Sequence, residues 1–327
     1  MRQITYADAI CEAFRQTMER DPSVIVIGQG VRSPWYVGAS MKDLDRQFGR
    51  DRVLDTPVAE NATTGAAVGA ALVGLRPVVI HPRMDFMLLA MDQIVNQAAN
   101  WYYMTGGRVS VPVTFRGIVN RGGEQAAQHS QALHAWFMHV PGLKVVMPST
   151  PYDAKGLLNA SIQDDNPVLY IDDRWLYEEK GDAPEEPYTV PIGKGALLRQ
   201  GADATVVAVS YMSREAMRAA SALSERGIDL EVVDLRTVKP LDKEIILASI
   251  RKTGRLVVAD SGWLTGGLSA EIAALAVSEA YSDLKAPVVR VALPDVPAPM
   301  SKPLEESYYP SHGHIIAAVE RVLAHGV

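Results

Sequence analysis

Short runs of β-branched and aliphatic residues alternate with longer helical patterns along the first half of the chain. The runs are VIVIG at 24–28, PVVIHP at 77–82, VPVTFRG at 111–117, KVVMP at 144–148 and PVLYIDD at 167–173. Apolar runs of this length, separated by helices, are typical of a parallel sheet that helices cover on both faces. The sequence therefore predicts an α/β domain over residues 1–178.

The same alternation returns after an interruption that is rich in acids and prolines. Residues 179–191, EKGDAPEEPYTVP, contain few large aliphatic side chains, which is the composition of an exposed linker. Beyond them, the runs ATVVAVSY, LEVVDLR, RLVVADSG and PVVRVAL are again separated by helical patterns. We expect a linker at 179–191 and a second, smaller α/β domain at 192–327.

Charge and cysteine content narrow the class of partner. The 327 residues include 32 Lys and Arg against 38 Asp and Glu, for a formal net charge of -6. Because no basic stripe interrupts this acidic balance, we expect neither nucleic acid nor a membrane as partner. Cys11 is the only cysteine, which excludes an internal disulfide and suits a reducing compartment. No apolar run approaches the ~18 residues of a spanning helix, and a cytoplasmic protein is expected.

Glu60 stands at the start of a helical pattern made almost entirely of Ala, Gly, Val and Leu. The stretch DTPVAENATTGAAVGAALVGL at 55–75 contains no basic residue. An acid in the first turn of a helix is usually explained by the helix dipole alone. This helix, however, is apolar enough to be buried all round, and LDTPVA before it offers little exposed surface. A buried acid without a cation can exchange a proton near neutrality, so Glu60 is a candidate catalytic residue.

His129 has the most site-like setting of the seven histidines. It lies in GGEQAAQHSQALHAW, a glycine-led polar loop before a helix, and loops at strand ends carry the reactive groups of α/β folds. The alternative is a histidine that only ties the loop together by hydrogen bonds. We expect His134 and His139 to pack within the following helix. HGH at 312–314 lacks the further ligands of a zinc site and is expected to start a helix.

Three polar residues lie between a buried strand and an apolar helix in IHPRMDF at 80–86. They are His81, Arg83 and Asp85, and their place at the carboxyl end of a strand indicates the lining of a pocket. A structural ion pair between Arg83 and Asp85 explains the same pattern equally well. Phe86 offers a stacking surface, although most such phenylalanines belong to a core.

Six collinear motifs resemble a known family. They are DTPVAENATTGAAVGAALVGLRPVV, MDQIVNQAANWYYMTGG, VPVTFRG, AAQHSQALHAWFMHVPGLKVVMPSTPYDAKGLL, DDNPV and VDLRTVKPLD. Together they are similar to the beta subunit of the thiamine-diphosphate-dependent 2-oxo acid dehydrogenases of the pyruvate, branched-chain and acetoin type. The resemblance runs from about residue 4 to the C-terminus. It implies a transketolase-like pyrimidine-binding domain, followed by a transketolase C-terminal-like domain.

The resemblance assigns roles to particular residues. Glu60 would hydrogen-bond the aminopyrimidine ring nitrogen of the cofactor and so promote the imino tautomer that deprotonates the thiazolium carbon. Phe86 would stack on the aminopyrimidine, with Met84 also contacting the cofactor, and His129 would face the reacting carbon. Some members of the family bind a structural potassium ion, and the matching ligands here are Val113, Ser161, Ile162, Asp164 and Asn166.

The family motif that binds diphosphate and magnesium, GDG followed by NN, does not occur in this sequence. The nearest candidate, KGDAPEEP, lacks the second glycine and the downstream pair. By the resemblance, this chain would carry half of a cofactor site. An alpha subunit would hold the diphosphate and Mg²⁺, and two alpha and two beta chains would form a heterotetramer.

The chain also departs from the family pattern. HPRMD replaces a run that is largely apolar and aromatic in dehydrogenases, and IVNRGGEQ adds Arg121 and Glu124 to a loop usually rich in small residues. Arg83 and Arg121 would favour an anionic donor or acceptor at the substrate mouth. His81 and Asp85 remain candidates for the same pocket.

Three functional hypotheses follow. The leading one is an enzyme that decarboxylates a pyruvate-like 2-oxo acid and transfers the acyl unit to a lipoyl acyltransferase. The second keeps the cofactor but forms an acyloin or ketol, with a small molecule, phosphorylated or not, as acceptor and no lipoyl complex. The third is a silent subunit that only stabilises an alpha chain, and the intact Glu60 and His129 argue against it.

Overall fold

The chain forms two compact units. A computed structural model describes residues 2–123 and 125–325. The first unit contains the chain up to Arg121 together with Gln128–Ile192, and the second contains Gly122–Ala127 together with the chain from Gly193 onward. Within the described residues, no helix is both long enough and apolar enough to cross a membrane.

The first unit is built from short strands and intervening helices. Its strands are β1 (Arg2–Thr5), β2 (Val24–Gly28), β3 (Val53–Asp55), β4 (Arg76–His81), β5 (Thr114–Val119), β6 (Lys144–Val146), β7 (Val168–Asp173) and β8 (Lys180–Ala183). Its α-helices are α1 (Tyr6–Arg20), α2 (Pro34–Val37), α3 (Leu44–Phe48), α4 (Glu60–Leu72), α5 (Ala99–Met104), α6 (His134–Met138) and α7 (Pro151–Gln163). Shorter helical segments of 3-10 or π type occur at Gly38–Met41, Met84–Ala90, Asp92–Ala98 and Arg174–Leu176.

Strands β2 to β7 form the parallel sheet that the apolar runs predict. Within this unit the strands lie in the order β6, β7, β5, β4, β2, β3, and each neighbouring pair is parallel. Every residue of β5 and β7 is buried, which explains why these strands lack the alternation of a half-exposed strand. The carboxyl ends of β4, β5 and β7 therefore lie side by side at one edge of the sheet.

Two helices begin at the signals in the sequence. Thr5 caps α1 by accepting the N–H of Asp8 at 3.1 Å. Thr150 caps α7 in the same way, accepting the N–H of Asp153 at 3.1 Å, and Pro151 occupies the first helical position. These caps satisfy backbone donors that the first turn of a helix leaves free.

Residues 179–191 are not the exposed linker that their composition predicts. The segment contains β8, which pairs antiparallel with β1. Lys155 is fully buried, and its Nζ donates to the carbonyls of residues 184, 185 and 186 at 2.9, 2.8 and 3.1 Å. The rings of Tyr152 and Tyr188 stack with centroids 4.6 Å apart. A buried amine and an aromatic stack thus hold this polar segment on the first unit, and composition alone does not reveal either contact.

Helix α4 is not buried all round, contrary to expectation. Its inner residues are Thr64, Ala67, Val68 and Ala71. A second face is exposed and continues the line of the preceding loop; we call it the α4 stripe, and its residues are Val58, Ala62, Ala66, Gly69 and Val73. The preceding LDTPVA segment is also exposed at Pro57 and Ala59, so the expectation of little exposed surface there is wrong. The apolar composition of the sequence could not show whether the helix is fully buried or whether one apolar face stays exposed in the single chain.

The second unit is a separate α/β layer structure. Its strands are β9 (Ala196–Arg199), β10 (Ala204–Ala208), β11 (Leu230–Asp234), β12 (Thr237–Lys239), β13 (Leu256–Trp263) and β14 (Val289–Leu293). Its α-helices are α8 (Tyr211–Ser224), α9 (Lys243–Thr253), α10 (Leu268–Ala280), α11 (Lys302–Tyr308) and α12 (His312–Leu323), with a 3-10 turn at Tyr281–Asp283.

The main sheet of the second unit has the order β14, β13, β10, β11, β9. The first four strands are parallel, and β9 joins the edge antiparallel to β11. Helices α8 and α12 pack on a core cluster with these strands. As predicted, HGH starts a helix, because Ser311 and His314 form a capping box at the start of α12.

Candidate active site

Glu60 is the first residue of α4, immediately after the loop that leaves β3. The preceding residue, Ala59, provides no side-chain cap, so the backbone dipole of the first turn favours a negative charge at this position. Glu60 is half-buried. Among the described residues, none forms a hydrogen bond or an ion pair with its carboxylate. The chain thus presents a carboxylate at a helix start and supplies no cation for it.

Phe86 and His129 come together although 43 positions separate them in the sequence. Phe86 lies in the 3-10 segment after β4, and His129 lies in the loop before α6. Their ring centroids are 5.3 Å apart with an interplanar angle of 81°, an edge-to-face contact. Both side chains are only partly buried. No hydrogen bond to His129 occurs within the described residues, so the loop-tying alternative has no support there.

Asp85 connects the same two segments. Its Oδ1 accepts the N–H of Gln131 at 3.1 Å, which ties the 3-10 segment to the His129 loop. Burial raises the pKa of Asp85, while the hydrogen bond from Gln131 and the nearby His129 oppose that rise. Oδ2 of Asp85 is buried without a hydrogen-bond partner. The carboxyl group therefore positions the loop and faces the histidine without forming an ion pair.

His81 and Met84 are placed as parts of the core. His81 is 2% exposed and lies with its Nε2 3.4 Å from Oγ1 of Thr64 in α4. Burial lowers the pKa of His81 to about 4, so the ring is neutral near pH 7. Met84 is fully buried, and a Cβ on Gly117 would lie 3.4 Å from its Cγ. The glycine of VPVTFRG thus lets the 3-10 segment approach β5 closely.

The arginines near the strand ends differ in how they are neutralised. Arg121 forms an ion pair with Asp173, and its guanidinium lies 5.0 Å from the ring centroid of Trp175. Arg83 is 8% exposed and forms no ion pair with Asp85 or with any other described carboxylate. The ion-pair alternative for HPRMDF is therefore not what the structure shows. The added Glu124 of the same loop lies outside the described residues.

Deeper in the sheet, Arg116 and Asp172 form a fully buried pair between β5 and β7. Two parallel contacts of 2.8 Å join the guanidinium to the carboxylate, and the Tyr177 hydroxyl donates to the same carboxylate at 2.7 Å. Such bidentate geometry offsets much of the desolvation cost of burying both charges. The pair fixes the two strands whose ends carry Asn120 and Arg174.

Asn120 and Arg174 are residues of this edge that the sequence reasoning missed. Each comes directly after a strand, Asn120 after β5 and Arg174 after β7. Arg174 Nη1 donates to Asn120 Oδ1 at 3.1 Å. The strand-end rule that singled out HPRMDF applies equally to IVN and DDR, and would have found both.

The residues assigned to a potassium ion lie near two cationic side chains. Arg76 Nη1 donates to the carbonyls of Ile162 and Asp164 at 3.2 and 3.1 Å, and Lys144 Nζ lies 2.5 Å from the Asp164 carboxylate. The other residues assigned to the potassium ion also form hydrogen bonds within the chain; they are Val113, Ser161 and Asn166. In this arrangement the Arg76 guanidinium engages two of the carbonyl oxygens, those of Ile162 and Asp164, that a potassium ion would need. The potassium site remains a prediction.

His134 and His139 differ from each other. His134 is fully buried at the start of α6, as expected for packing. His139 is exposed and follows the end of α6, so a packing role for it is wrong. The helix is only five residues long, and the expected helical pattern did not extend to His139.

The fold and the strand-end site define a class of protein. Residues 2–179 match the family description "Transketolase, pyrimidine binding domain" and residues 193–315 match "Transketolase, C-terminal domain". A solved structure described as "Split gene transketolase, inactive beta4 tetramer" shares the fold, with a TM-score of 0.81, 23% identity and 99% coverage of both chains. This is the two-domain architecture of the transketolase type.

Relatives narrow the class further. The chain is 41% identical to the Bacillus subtilis (strain 168) acetoin:2,6-dichlorophenolindophenol oxidoreductase subunit beta, covering 98% of each. It is 42% identical to the pyruvate dehydrogenase E1 component subunit beta of Rickettsia felis, over 99% of this chain and 100% of that protein. The mitochondrial counterpart from Bos taurus is 41% identical, over 98% and 91%. The chain belongs to this family of E1-component and acetoin-oxidoreductase beta subunits.

Proposed function

We propose that this chain is the beta subunit of a two-component, thiamine-diphosphate-dependent 2-oxo acid dehydrogenase. With an alpha subunit, it would decarboxylate a pyruvate-like 2-oxo acid and transfer the acyl unit to a lipoyl acyltransferase. One observation carries the proposal in a chain of this family: Glu60 presents a carboxylate without a cation at the start of α4. A ring nitrogen of a bound cofactor is the partner that such a carboxylate lacks.

The residues present fit the pyrimidine half of the cofactor. Glu60 is a hydrogen-bonding group for the ring nitrogen, and the partly exposed ring of Phe86 is a surface on which the pyrimidine can lie. Bound thiamine diphosphate supplies a carbon nucleophile for the 2-oxo group and accepts the electron pair that decarboxylation leaves. With the cofactor bound, Glu60 would hold the proton shared with the ring nitrogen, and His129 would donate or accept a proton beside Phe86.

An alpha subunit is required because this sequence lacks the diphosphate and magnesium motif. We assign the diphosphate and Mg²⁺ to the alpha chain, and two alpha and two beta chains to the assembly. The exposed α4 stripe supports an association of this kind, since an apolar helix face is normally covered. The relatives from Bacillus subtilis and Rickettsia felis are both named as beta subunits, which is in keeping with a partner subunit of a different kind.

A second function has a specific observation in its favour. Arg83, without a carboxylate partner, follows β4 three residues before Phe86. A cation at this point suits a small anionic acceptor better than the uncharged end of a lipoyl arm. The second candidate is therefore an acyloin- or ketol-forming transferase that uses the same cofactor and the same alpha subunit.

The replacement Glu60→Gln tests the proposed role of the carboxylate. Glutamine keeps the size of the side chain but cannot hold the shared proton, so we expect turnover to fall about 100-fold or more. The measurement is CO₂ release from pyruvate by the alpha–beta holoenzyme with cofactor and Mg²⁺. Size-exclusion chromatography should show an unchanged assembly.

Glu271→Gln is the matched control, because Glu271 also lies in the first turn of a helix, α10, and is exposed. We expect it to leave both turnover and assembly unchanged. Substantial turnover in the Glu60→Gln holoenzyme would show that the assignment is wrong. An inactive wild-type assembly with every 2-oxo acid tested would support the silent-subunit hypothesis instead.

A further inference from the structure

The guanidinium groups of Arg83 and Arg174 belong to one hydrogen-bonded network at the carboxyl ends of β4, β5 and β7. We call this network, which also includes Pro82 and Asn120, the frame. Arg83 Nη1 and Asn120 Nδ2 both donate to the carbonyl of Pro82 at 3.0 Å. Asn120 Oδ1 in turn accepts from Arg174 Nη1 at 3.1 Å. Three neighbouring parallel strands thus place two cations on either side of one asparagine.

Neither cation is neutralised by the described part of the chain. Arg174 Nη2 donates to the carbonyls of Trp35 and Tyr36, at 3.2 and 3.0 Å. Arg83 is 8% exposed, and its Nε is buried without a hydrogen-bond partner. Asp85 is near in sequence, but its Oδ1 is engaged by the N–H of Gln131. Two positive charges therefore face each other across neutral acceptors.

The neighbouring arginines show that this arrangement is an exception. Arg116 and Arg121 lie at β5 and just after it, and each forms an ion pair, with Asp172 and Asp173 respectively. A buried charge without compensation is costly. Burial and the nearby Arg174 lower the pKa of Arg83, and the Asp85 carboxylate, which forms no ion pair with it, only partly opposes them. Arg83 and Arg174 therefore lack a negative charge, and a group outside the described residues would have to supply it.

This frame adjoins the reacting groups of the proposed function. The backbone N–H of Phe86 donates to the carbonyl of Arg83 at 3.2 Å, so Arg83 begins the same 3-10 turn that presents Phe86. The Phe86 ring contacts His129 with centroids 5.3 Å apart. A molecule that reacts beside His129 can therefore extend a charged end to the frame.

The carboxylate of the 2-oxo acid donor is a poor candidate for this place. That group loses its charge as CO₂ forms, and two guanidinium groups would stabilise the ground state more than the transition state. An anion that persists through the reaction is stabilised equally in both states, so it contributes to binding without opposing the chemistry.

We propose that Arg83 and Arg174 form an anion subsite for a carboxylate or phosphate group carried by the acceptor substrate. The inference rests on the second candidate function, the acyloin- or ketol-forming transferase that uses the same cofactor, and specifies its acceptor. In the reaction, a carbon–carbon bond forms between the former carbonyl carbon of the donor and the aldehyde carbon of the acceptor. The bond to the carboxylate breaks, CO₂ leaves and one proton is taken up, so no oxidant is needed.

The test offers the alpha–beta holoenzyme pyruvate with three aldehydes and measures acyloin formation. Acetaldehyde is neutral, succinic semialdehyde carries a carboxylate, and glyceraldehyde 3-phosphate carries a phosphate. We expect kcat/KM for at least one charged aldehyde to exceed that for acetaldehyde by about 10- to 100-fold, from charge-assisted hydrogen bonds. The two charged arms distinguish a carboxylate site from a phosphate site.

Substitutions of Arg83 test whether the frame causes the preference for a charged aldehyde. In Arg83→Met we expect the KM of the preferred charged aldehyde to rise about 10-fold or more, with the KM for pyruvate and for acetaldehyde unchanged. Arg83→Lys should recover part of the loss and serves in place of Arg83→Met if the latter does not assemble. Arg46→Met is the control, because the Arg46 side chain is 83% exposed on the surface.

Two further measurements distinguish a failure of the subsite proposal from a failure of the proposed function. Reduction of 2,6-dichlorophenolindophenol and CO₂ release from pyruvate report the decarboxylation alone. If both occur while charged and neutral aldehydes react equally, or while lipoamide is the only acceptor used, the subsite proposal is wrong. If neither occurs with any 2-oxo acid, the proposed function itself is wrong and the subsite with it.

Discussion

Charged side chains without an opposite charge nearby are informative because folding normally removes them. Arg116 and Asp172 show the usual solution, a fully buried bidentate pair that stabilises two adjacent strands. Glu60 and Arg83 show the other case, a carboxylate and a guanidinium left without partners in the described chain. Their signs are opposite and their neighbourhoods differ, so two molecules would satisfy them separately: a cofactor with a basic ring at Glu60 and an acceptor with an anionic group at Arg83.

His81 makes a prediction about pH at the scale of one residue. Its folded-state pKa is about 4, lowered by burial from 6.5. Because the unfolded state binds the proton more tightly, stability from the neutral ring is complete above about pH 6.5 and falls as the pH drops towards 4. We expect the free energy of unfolding to fall by about 2 kcal/mol between pH 7 and pH 5 from this residue.

Urea unfolding at pH 7 and pH 5 checks this expectation. His81→Asn should remove most of the difference between the two pH values, whatever its effect on stability at pH 7. His139→Asn, which alters an exposed histidine, should leave the difference intact. An unchanged pH dependence in His81→Asn would mean that another group titrates in this window.

The sequence predicted those parts of the site that depend on local pattern. Strand ends located Arg83, Asp85 and Phe86, and the odd composition around Glu60 marked that residue. The contact between Phe86 and His129 depends on a long loop returning to the sheet edge, which no local pattern encodes. The pairing of Arg121 with Asp173 was missed for the same reason, since the partner lies 52 positions away.

At the scale of elements, the α/β alternation predicted the parallel sheet because its central strands β5 and β7 are buried on both faces and read as continuous apolar runs. The same logic failed for α4, whose composition is that of a buried helix although one face is open. Composition shows how apolar an element is. It does not show whether the residues that pack against the element belong to the same chain. For residues 179–191 the prediction was wrong in the opposite sense, since the polar composition did not reveal that β8 pairs with β1.

The α4 stripe leads to a prediction about association. Ala66 lies on the exposed face, so Ala66→Asp should change the unfolding of the purified chain little beyond the helix propensity cost, below about 1 kcal/mol. If the alpha subunit covers the stripe, a buried carboxylate there would weaken association about 10-fold or more. Analytical ultracentrifugation of alpha and beta mixtures measures the effect.

The control for this substitution is Ala274→Asp on α10, another alanine-rich helix with an exposed position at 274. It carries the same helix propensity cost and the same added charge. Equal association of the two variants would show that the α4 stripe lies away from the interface with the alpha subunit.

At the scale of the whole molecule, the proposed function gives this chain the groups for one end of a cofactor, and the sequence contains none of the family motif for the other end. In the isolated chain, binding energy from Glu60 and Phe86 alone would have to offset the entropy of immobilising a flexible, charged ligand. The diphosphate carries most of the charge, so under this proposal the affinity for the cofactor would depend on Mg²⁺ and on donors from the alpha subunit. Cofactor binding and subunit association should therefore be coupled, each strengthening the other by the same factor.

This coupling gives a prediction that calorimetry can check. The purified chain should bind thiamine diphosphate with Mg²⁺ at least about 100-fold more weakly than the alpha–beta assembly does, which corresponds to about 3 kcal/mol. Glu60→Gln should weaken binding in the assembly far less than omission of the alpha subunit does, because one hydrogen bond is worth less than the diphosphate and magnesium contacts. Tight binding to the chain alone would show that this chain holds the diphosphate itself, and that the half-site assignment is wrong.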